Sequence, residues 1–165
     1  MRNTITAFAI ACLLAGFAFH DSANAAIDAR TGASELVTDD GTDNIRYTVA
    51  KNYFVNNSLD SLPPVKITDE AIFNECFGMS TAMGKDGQPT AIDFSSQYVI
   101  AVTLPVTDTM TVLKPKRLVK GSDGRLTFSY VVKRSKKMTY TMQPLLLVIV
   151  DKKHDGEVVL NAISR

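Results

Sequence analysis

Cys76, Ser80 and His154 carry the side chains that could serve as nucleophile and general base in a hydrolase. Ser80 stands in a GMSTA run at residues 78–82, which lacks the final glycine of the nucleophile elbow and follows a predicted helix instead of a strand. Cys76 falls on the apolar side of that helix, a setting typical of a buried structural thiol. His154 lies in a lysine-rich turn, where an imidazole is normally solvated. The sequence therefore favours a protein that is not an enzyme, with a small hydrolase using Ser80 or Cys76 with His154 as an alternative.

The sequence shows no metal-ligand pattern. Beyond residue 25 it holds one cysteine and one histidine, which is too few for a zinc site. The DDGTD run at residues 39–43 lacks the bidentate acid of a calcium loop. We therefore predict no metal and no cofactor.

Basic side chains are concentrated in residues 110–142, which hold nine of them against the single acid Asp123. One interpretation is a solvated hairpin whose lysines guard its edges. The other is a docking face for an acidic protein or for the acidic segment near the N-terminus. The predicted partner-binding residues are Lys114, Lys116, Arg117, Lys120, Arg125, Lys133, Arg134, Lys136 and Lys137.

Two predicted strands bring these basic residues together. A threonine-rich strand at residues 107–113 is followed by Pro115 and a GSDG turn at 121–124. Residues 126–132 then alternate apolar and polar side chains, which predicts a strand with one face in the core. Phe128 and Tyr130 fall on its core face, so the basic face lacks the interleaved aromatics of a nucleic-acid surface. We predict no nucleic-acid partner.

Two apolar runs of strand length, YVIAVTL (98–104) and LLLVIV (145–150), predict the centre of a sheet that is covered on both faces. A bent strand is predicted at residues 45–55 with its bend near Lys51 and Asn52, and further strands at 138–142 and 157–163. The last strand has either Val158 and Leu160 or Val159 and Ile163 facing inward.

A single short helix is predicted to begin near residues 68–70 and to end at Gly78, with Ile72, Phe73, Cys76 and Phe77 on its inner side. We therefore predict an α+β fold, in which this helix packs on a mainly antiparallel β-meander. One helix covers only one face of the central strands, so the other needs a second layer of strands or closure towards a barrel. A partly closed barrel and a sandwich both remain open.

The N-terminus predicts export. An apolar run at residues 5–19 precedes a small-x-small site at 23–25, as in a signal peptide cleaved near Ala25 and Ala26. We predict a signal peptide at 1–25, an acidic flexible leader at 26–44 and a single domain at 45–165, without a transmembrane segment in the mature chain. The predicted location is periplasmic or extracellular.

The order of features from residue 92 onwards resembles the C-terminal domain of the PrcB family, bacterial exported proteins associated with a protease complex. IDFS (92–95) leads into YVIAV (98–102), a basic strand pair follows, and YTMQP (140–144) leads into LLLVIVDK (145–152). LPVT (104–107) stands where that family tends to have a glycine-rich segment, and no functional residue is carried across. The resemblance implies an inhibitor or modulator of a protease.

These observations together predict a non-enzymatic exported binding protein, with a protease as one candidate partner, that meets an acidic surface through its basic hairpin. A structural or envelope-assembly protein is a further alternative.

Overall fold

The computed structural model describes residues 44–81, 83–84 and 87–164. The predicted signal peptide and all of the predicted leader except Asn44 lie outside the described residues, as do the last residue and part of the turn at 82–86. The elements are β1 (Thr48–Ala50), β2 (Tyr53–Val55), β3 (Lys66–Ile67), α1 (Glu70–Cys76), β4 (Phe77–Met79), β5 (Gln97–Thr103), β6 (Thr107–Lys120), β7 (Leu126–Met142), β8 (Leu145–Asp151) and β9 (Val158–Ser164).

The two apolar runs form the middle of a four-stranded sheet with the order β1-β8-β5-β3. β5 pairs antiparallel with β8 over the whole of both strands, from Gln97 opposite Asp151 to Thr103 opposite Leu145. Both strands carry five consecutive buried residues, and all of these except Ile149 are divided between two hydrophobic clusters on opposite faces. The predicted central position of both runs and their burial on both faces are confirmed.

A second layer of strands covers one face of this sheet. β6 and β7 form a long antiparallel hairpin, and β9 completes a three-stranded sheet with the order β6-β7-β9. Leu118 and Phe128 face the central sheet and join Tyr98, Ile100 and Val148 in the larger core cluster. The described strands form separate sheets, so the second layer is a packed sheet rather than a closed barrel.

The opposite face is covered by α1 and the two-stranded β2-β4 sheet. Phe73 and Phe77 pack against the face of the central sheet that carries Val99 and Leu147, and the ring centroids of these two phenylalanines lie 5.0 Å apart. The helix begins where predicted, because Asp69 is its N-cap and accepts hydrogen bonds from the backbone N–H groups of residues 71 and 72. For the part of the chain that the structure describes, an α+β class with one short helix and mostly antiparallel strands is thus shown.

Two predictions about the helix and its surroundings are wrong. The helix ends at Cys76, because Phe77 already has an extended backbone and begins β4. Gly78 is therefore a strand residue opposite Phe54 and not a C-cap. Ile72 lies on the outer side of the helix and is 46% exposed, because a helix of only two turns presents Phe73 and Cys76 to the core instead.

The predicted bend near Lys51 and Asn52 is confirmed, and it divides the first strand into two. Asn52 has a φ of +64°, a left-handed conformation that ends one strand and redirects the chain into the next. As a result β1 pairs with β8 in the central sheet, whereas β2 pairs with β4 on the helix side.

The hairpin strands are longer than predicted. β6 continues through Pro115, which lies opposite Tyr130 next to a break in the β6-β7 register. Pro115 and Leu118 lie in the same inward-facing row of β6. The backbone carbonyl of Leu118 points to the outer edge of β6, where it accepts a hydrogen bond from the Ile45 N–H. A proline is tolerated where a bulge or an edge frees the strand from donating to its neighbour.

The last strand does not extend a meander. β9 pairs parallel with β7, from Leu126 opposite Val158 to Val132 opposite Ser164, because the turn after β8 carries the chain across to the other sheet. Val158 and Leu160 face inward and pack against the larger core cluster, which selects the first of the two predicted registers.

Candidate functional site

All nine basic residues predicted to bind a partner are exposed, and all lie on β6, on β7 or in the turn between them. The antiparallel register places Lys114 opposite Val131, Arg117 opposite Ser129 and Lys133 opposite Val112. These three cations share the face of the hairpin that points away from the core, because Leu118, Phe128 and Val132 occupy the opposite face. We call the positions of Lys114, Arg117 and Lys133 the outer basic row.

Six of the nine cations make no ion pair or side-chain hydrogen bond with any residue that the structure describes. Besides the outer basic row, they are Lys116, Arg134 and Lys136. Their charges are therefore not neutralised at close range within the described ranges. Such a group of uncompensated like charges attracts a surface of opposite sign and costs folding stability through mutual repulsion.

The other three cations are engaged within the protein. Arg125 Nε lies 3.1 Å from Glu157 Oε2, and Lys137 Nζ lies 3.0 Å from Asp108 Oδ2. Lys120 donates to the backbone carbonyl of Asp155 at 3.0 Å. Lys120 and Arg125 thus hold the hairpin turn against the chain segment that precedes β9, and the sequence alone did not distinguish them from the unpaired cations.

A cavity of about 270 Å³ lies at the other end of the hairpin, beside Arg134. Its lining is mixed, with apolar side chains beside two threonines and with Arg134 as the one charged lining residue; Thr111 is itself buried. The remaining lining residues are Leu104, Pro105, Val106, Thr107 and Pro144. Apolar side chains beside an arginine fit a ligand that carries an apolar group next to a carboxylate. Residues 104–107, where this chain lacks the glycine-rich segment typical of the PrcB family, thus supply one wall of this cavity.

The turn between β8 and β9 is tied to both sheets. Lys66, on β3, pairs with the Asp155 carboxylate, and its Nζ lies 4.9 Å from the centre of the Tyr98 ring. The hydrogen bond from Lys66 is the main cause that lowers the pKa of Asp155, and the Gly156 N–H and the Lys66 charge add to it. His154 accepts a hydrogen bond from Tyr98 through its backbone carbonyl. These contacts are structural, and the pairing of Lys66 with Asp155 joins residues 89 positions apart that no local pattern connects.

The structure does not bring the predicted hydrolase residues together. Cys76 is buried in the helix-side cluster, where burial first and the neighbouring Glu75 second raise the pKa of its thiol. Ser80 is exposed after β4, and its N–H donates to the Asn52 carbonyl. His154 lies far from both in the chain and lines a polar cavity of about 360 Å³ together with Arg46, Lys153 and Asp151; this is not the cavity beside Arg134. No contact between His154 and either nucleophile is found in the described part of the chain, and a raised thiol pKa disfavours the thiolate.

An apolar cleft of about 320 Å³ lies beside α1. Tyr53, Phe73 and Phe94 form its aromatic side, and the ring centroids of Tyr53 and Phe94 lie 5.2 Å and 5.4 Å from that of Phe73. The Tyr53 hydroxyl donates to the Thr90 carbonyl at 2.7 Å, so its polar end is already used. Glu70 and Asn74 supply polar groups at the helix side of the cleft.

Within the described residues, no three His, Cys, Asp or Glu side chains are grouped as metal ligands would be. Among these residues, no helix has the length and apolar composition that crossing a bilayer requires.

Comparisons with protein-family models, with curated proteins and with solved structures found no match to this chain.

Proposed function

We propose that the protein is a non-enzymatic exported binding protein that captures an acidic partner protein through the β6-β7 hairpin. The proposal rests on the six cations of the hairpin that have no ionic partner among the described residues. A protease or protease complex is the partner class that the resemblance to the PrcB family suggests.

The register of the hairpin supports a surface rather than scattered charges. Lys114 and Lys133 lie one rung apart on neighbouring strands, since Lys114 is opposite Val131 and Lys133 follows Val131 by two residues. Diagonal neighbours of this kind on one face lie roughly 7–8 Å apart, with their Cβ atoms somewhat closer. An acidic segment laid along the outer basic row would therefore meet several cations at once, which raises the association rate and makes binding salt-dependent.

The cavity beside Arg134 lies on the opposite side of the hairpin sheet from the outer basic row, since Arg134 is paired with the buried Thr111 and follows Val132 by two residues. It would add an anchor for a partner that continues around the hairpin from that row. Side chains that fill a pocket next to a charged pair dominate the binding energy of most interfaces, whereas exposed rim charges mainly steer association. We therefore expect the partner to place an apolar side chain against Pro105 and Pro144, with a carboxylate near Arg134.

The experiment uses the purified protein immobilised as bait with secreted and periplasmic extract of its host, at low and high salt. Retained proteins are identified by mass spectrometry, and the proteolytic activity of the extract is measured with and without the protein in solution. We expect salt-sensitive retention of a protease and a change in that activity.

Two triple variants with equal charge change provide the control. One replaces the outer basic row, Lys114, Arg117 and Lys133, with glutamine. The other replaces three exposed cations outside the hairpin, Arg46, Lys51 and Lys153, with glutamine. Loss of capture in the first variant alone supports the basic hairpin, whereas equal loss in both shows that only net charge matters and contradicts it. A protease that is captured equally well by both variants also contradicts the proposal.

A further inference from the structure

We propose that the open edge of β9 pairs antiparallel with β9 of a second copy of this chain, with the two-fold axis at Asn161. This pairing joins two three-stranded sheets into one six-stranded sheet.

β9 is an edge strand without the usual protection of an edge. It ends the order β6-β7-β9, and no described residue pairs with its outer side. Its sequence, VVLNAIS, contains no charged residue, no proline and no glycine. Natural edge strands are commonly guarded by lysine, proline or bulges. The opposite edge of the same sheet, β6, has all three, and Asn44 covers part of it by bridging to Val119.

One hydrogen bond fixes which backbone groups of β9 face outward. The N–H of Leu126 donates to the carbonyl of Glu157 at 2.7 Å, so residue 157 directs its backbone groups towards β7. Successive residues of a strand direct these groups to opposite edges. Val158, Leu160, Ala162 and Ser164 therefore present their N–H and C=O groups to the open edge.

A two-fold axis at Asn161 satisfies all of these outward groups. It sets Leu160 opposite Ala162 of the second copy, and Val158 opposite Ser164, as hydrogen-bonded pairs. Asn161 is also the midpoint of β9, so this register pairs the strand along its whole length. A shift to any other centre leaves part of the row without a partner.

The side chains match in the same register. Val159 and Ile163, which are 40% and 36% exposed on the outer face, come to lie opposite each other across the two-fold axis, twice in each dimer. Pairs of β-branched side chains at such positions stabilise a sheet.

β9 carries no charged side chain, so two copies of it do not repel each other. For the same reason β9 has no cation with which to bind the acidic partner proposed above. A second copy is therefore the occupant that this edge fits.

The pairing has a consequence that rests on the proposed function. A two-fold axis perpendicular to a continuous sheet keeps the outer faces of both copies on the same side. Both outer basic rows would then face one way, so a dimer could engage two acidic sites of one assembly and gain affinity through effective concentration. The dimer itself does not depend on this consequence.

Sedimentation velocity of the purified protein over a range of concentrations tests the proposal. We expect a reversible monomer–dimer equilibrium. Val159→Glu or Ile163→Lys alone should raise the dimer dissociation constant about tenfold or more, since each places a charge opposite an apolar side chain. The double variant should restore dimerisation, because its new carboxylate and ammonium groups lie opposite each other only across this two-fold axis. Val112→Glu, at a similarly exposed valine on the same face but on β6, is the matched control and should leave the equilibrium unchanged.

A second variant guards against misfolding. Ala162→Pro removes an outward N–H that the described monomer does not use, so it should keep the circular dichroism of the parent and lose the dimer. A protein that stays monomeric at all concentrations overturns the proposal. A dimer that is insensitive to the single variants and to Ala162→Pro, or that the double variant fails to restore, overturns this interface.

Discussion

The hydroxyl of Tyr98 donates a hydrogen bond of 2.8 Å to the backbone carbonyl of His154. Tyr98 is a wholly buried side chain of the central sheet, and His154 lies in the turn that leads to β9 in the other layer. Together with the pairing of Lys66 and Asp155, this bond positions the parallel strand that neither local alternation nor hairpin rules predict. Burial first, and the nearby Asp155 charge second, raise the pKa of Tyr98, which therefore keeps its proton at any ordinary pH.

Tyr98→Phe should lower the free energy of unfolding by about 1 kcal/mol, since it removes one partly buried hydrogen bond and leaves the His154 carbonyl without this donor. Urea denaturation of the variant and the parent measures the difference. Tyr140→Phe, at an exposed tyrosine of β7, is the control and should change stability little. Equal stability of the Tyr98 variant and the parent would show that the turn does not depend on this bond.

Phe73→Ala should cost about 3–5 kcal/mol, because Phe73 is 2% exposed at the centre of the helix-side aromatic cluster. Ile72→Ala, at the adjacent helix position, should cost far less, since that side chain lies outside the core. Denaturant midpoints of the two variants test which side of the helix faces the sheet. A larger loss for the Ile72 variant would reverse the assigned orientation.

Asp69→Ala should destabilise the protein by about 1 kcal/mol, because Asp69 Oδ1 accepts hydrogen bonds from the N–H groups of Ala71 and Ile72 at 2.8 Å and 3.2 Å. Thr68→Ala, one residue earlier, is the control for the capping position. Thermal unfolding followed by circular dichroism distinguishes the two. If the Thr68 variant were the less stable one, the helix would begin a residue earlier than the structure has it.

Asp93 should contribute to acid sensitivity. Hydrogen bonds from the hydroxyls of Ser95 and Ser96 and from the Ser95 N–H lower the pKa of Asp93 in the folded protein. A lowered folded-state pKa gives stability that is fully present above the unfolded value of about 3.9 and is lost as the pH falls through the folded value.

The melting temperature of Asp93→Asn should therefore fall less steeply than that of the parent as the pH is lowered from about 5 to about 2. Asp60→Asn, at an exposed aspartate with no hydrogen-bond partner among the described residues, should follow the parent curve. Parallel curves for Asp93→Asn and the parent would contradict a role for the hydrogen bonds of this loop.

The candidate site was only partly predictable from the sequence. Clustering of basic residues in residues 110–142 was visible from composition, and the alternation at 126–132 placed Phe128 and Tyr130 in the core, as the structure confirms. Which cations have partners was not visible, because Glu157 and Asp155 approach Arg125 and Lys120 only when β9 joins the hairpin sheet. The cavity beside Arg134 was likewise hidden, since its walls come from segments before β6, within the hairpin and before β8.

By itself the sequence determined the central pair of strands, the start of the helix and the bend at Asn52, because each depends on local chemistry. Those features are two uninterrupted apolar runs, an aspartate at the N-cap and a residue that tolerates a left-handed conformation. Tertiary structure alone decided the end of the helix at Cys76, the passage of β6 through Pro115 and the parallel pairing of β9. The physical reason is that each of these outcomes is selected by a partner distant in the chain, whose contacts outweigh the weaker local preferences of glycine, proline and a hairpin-like turn.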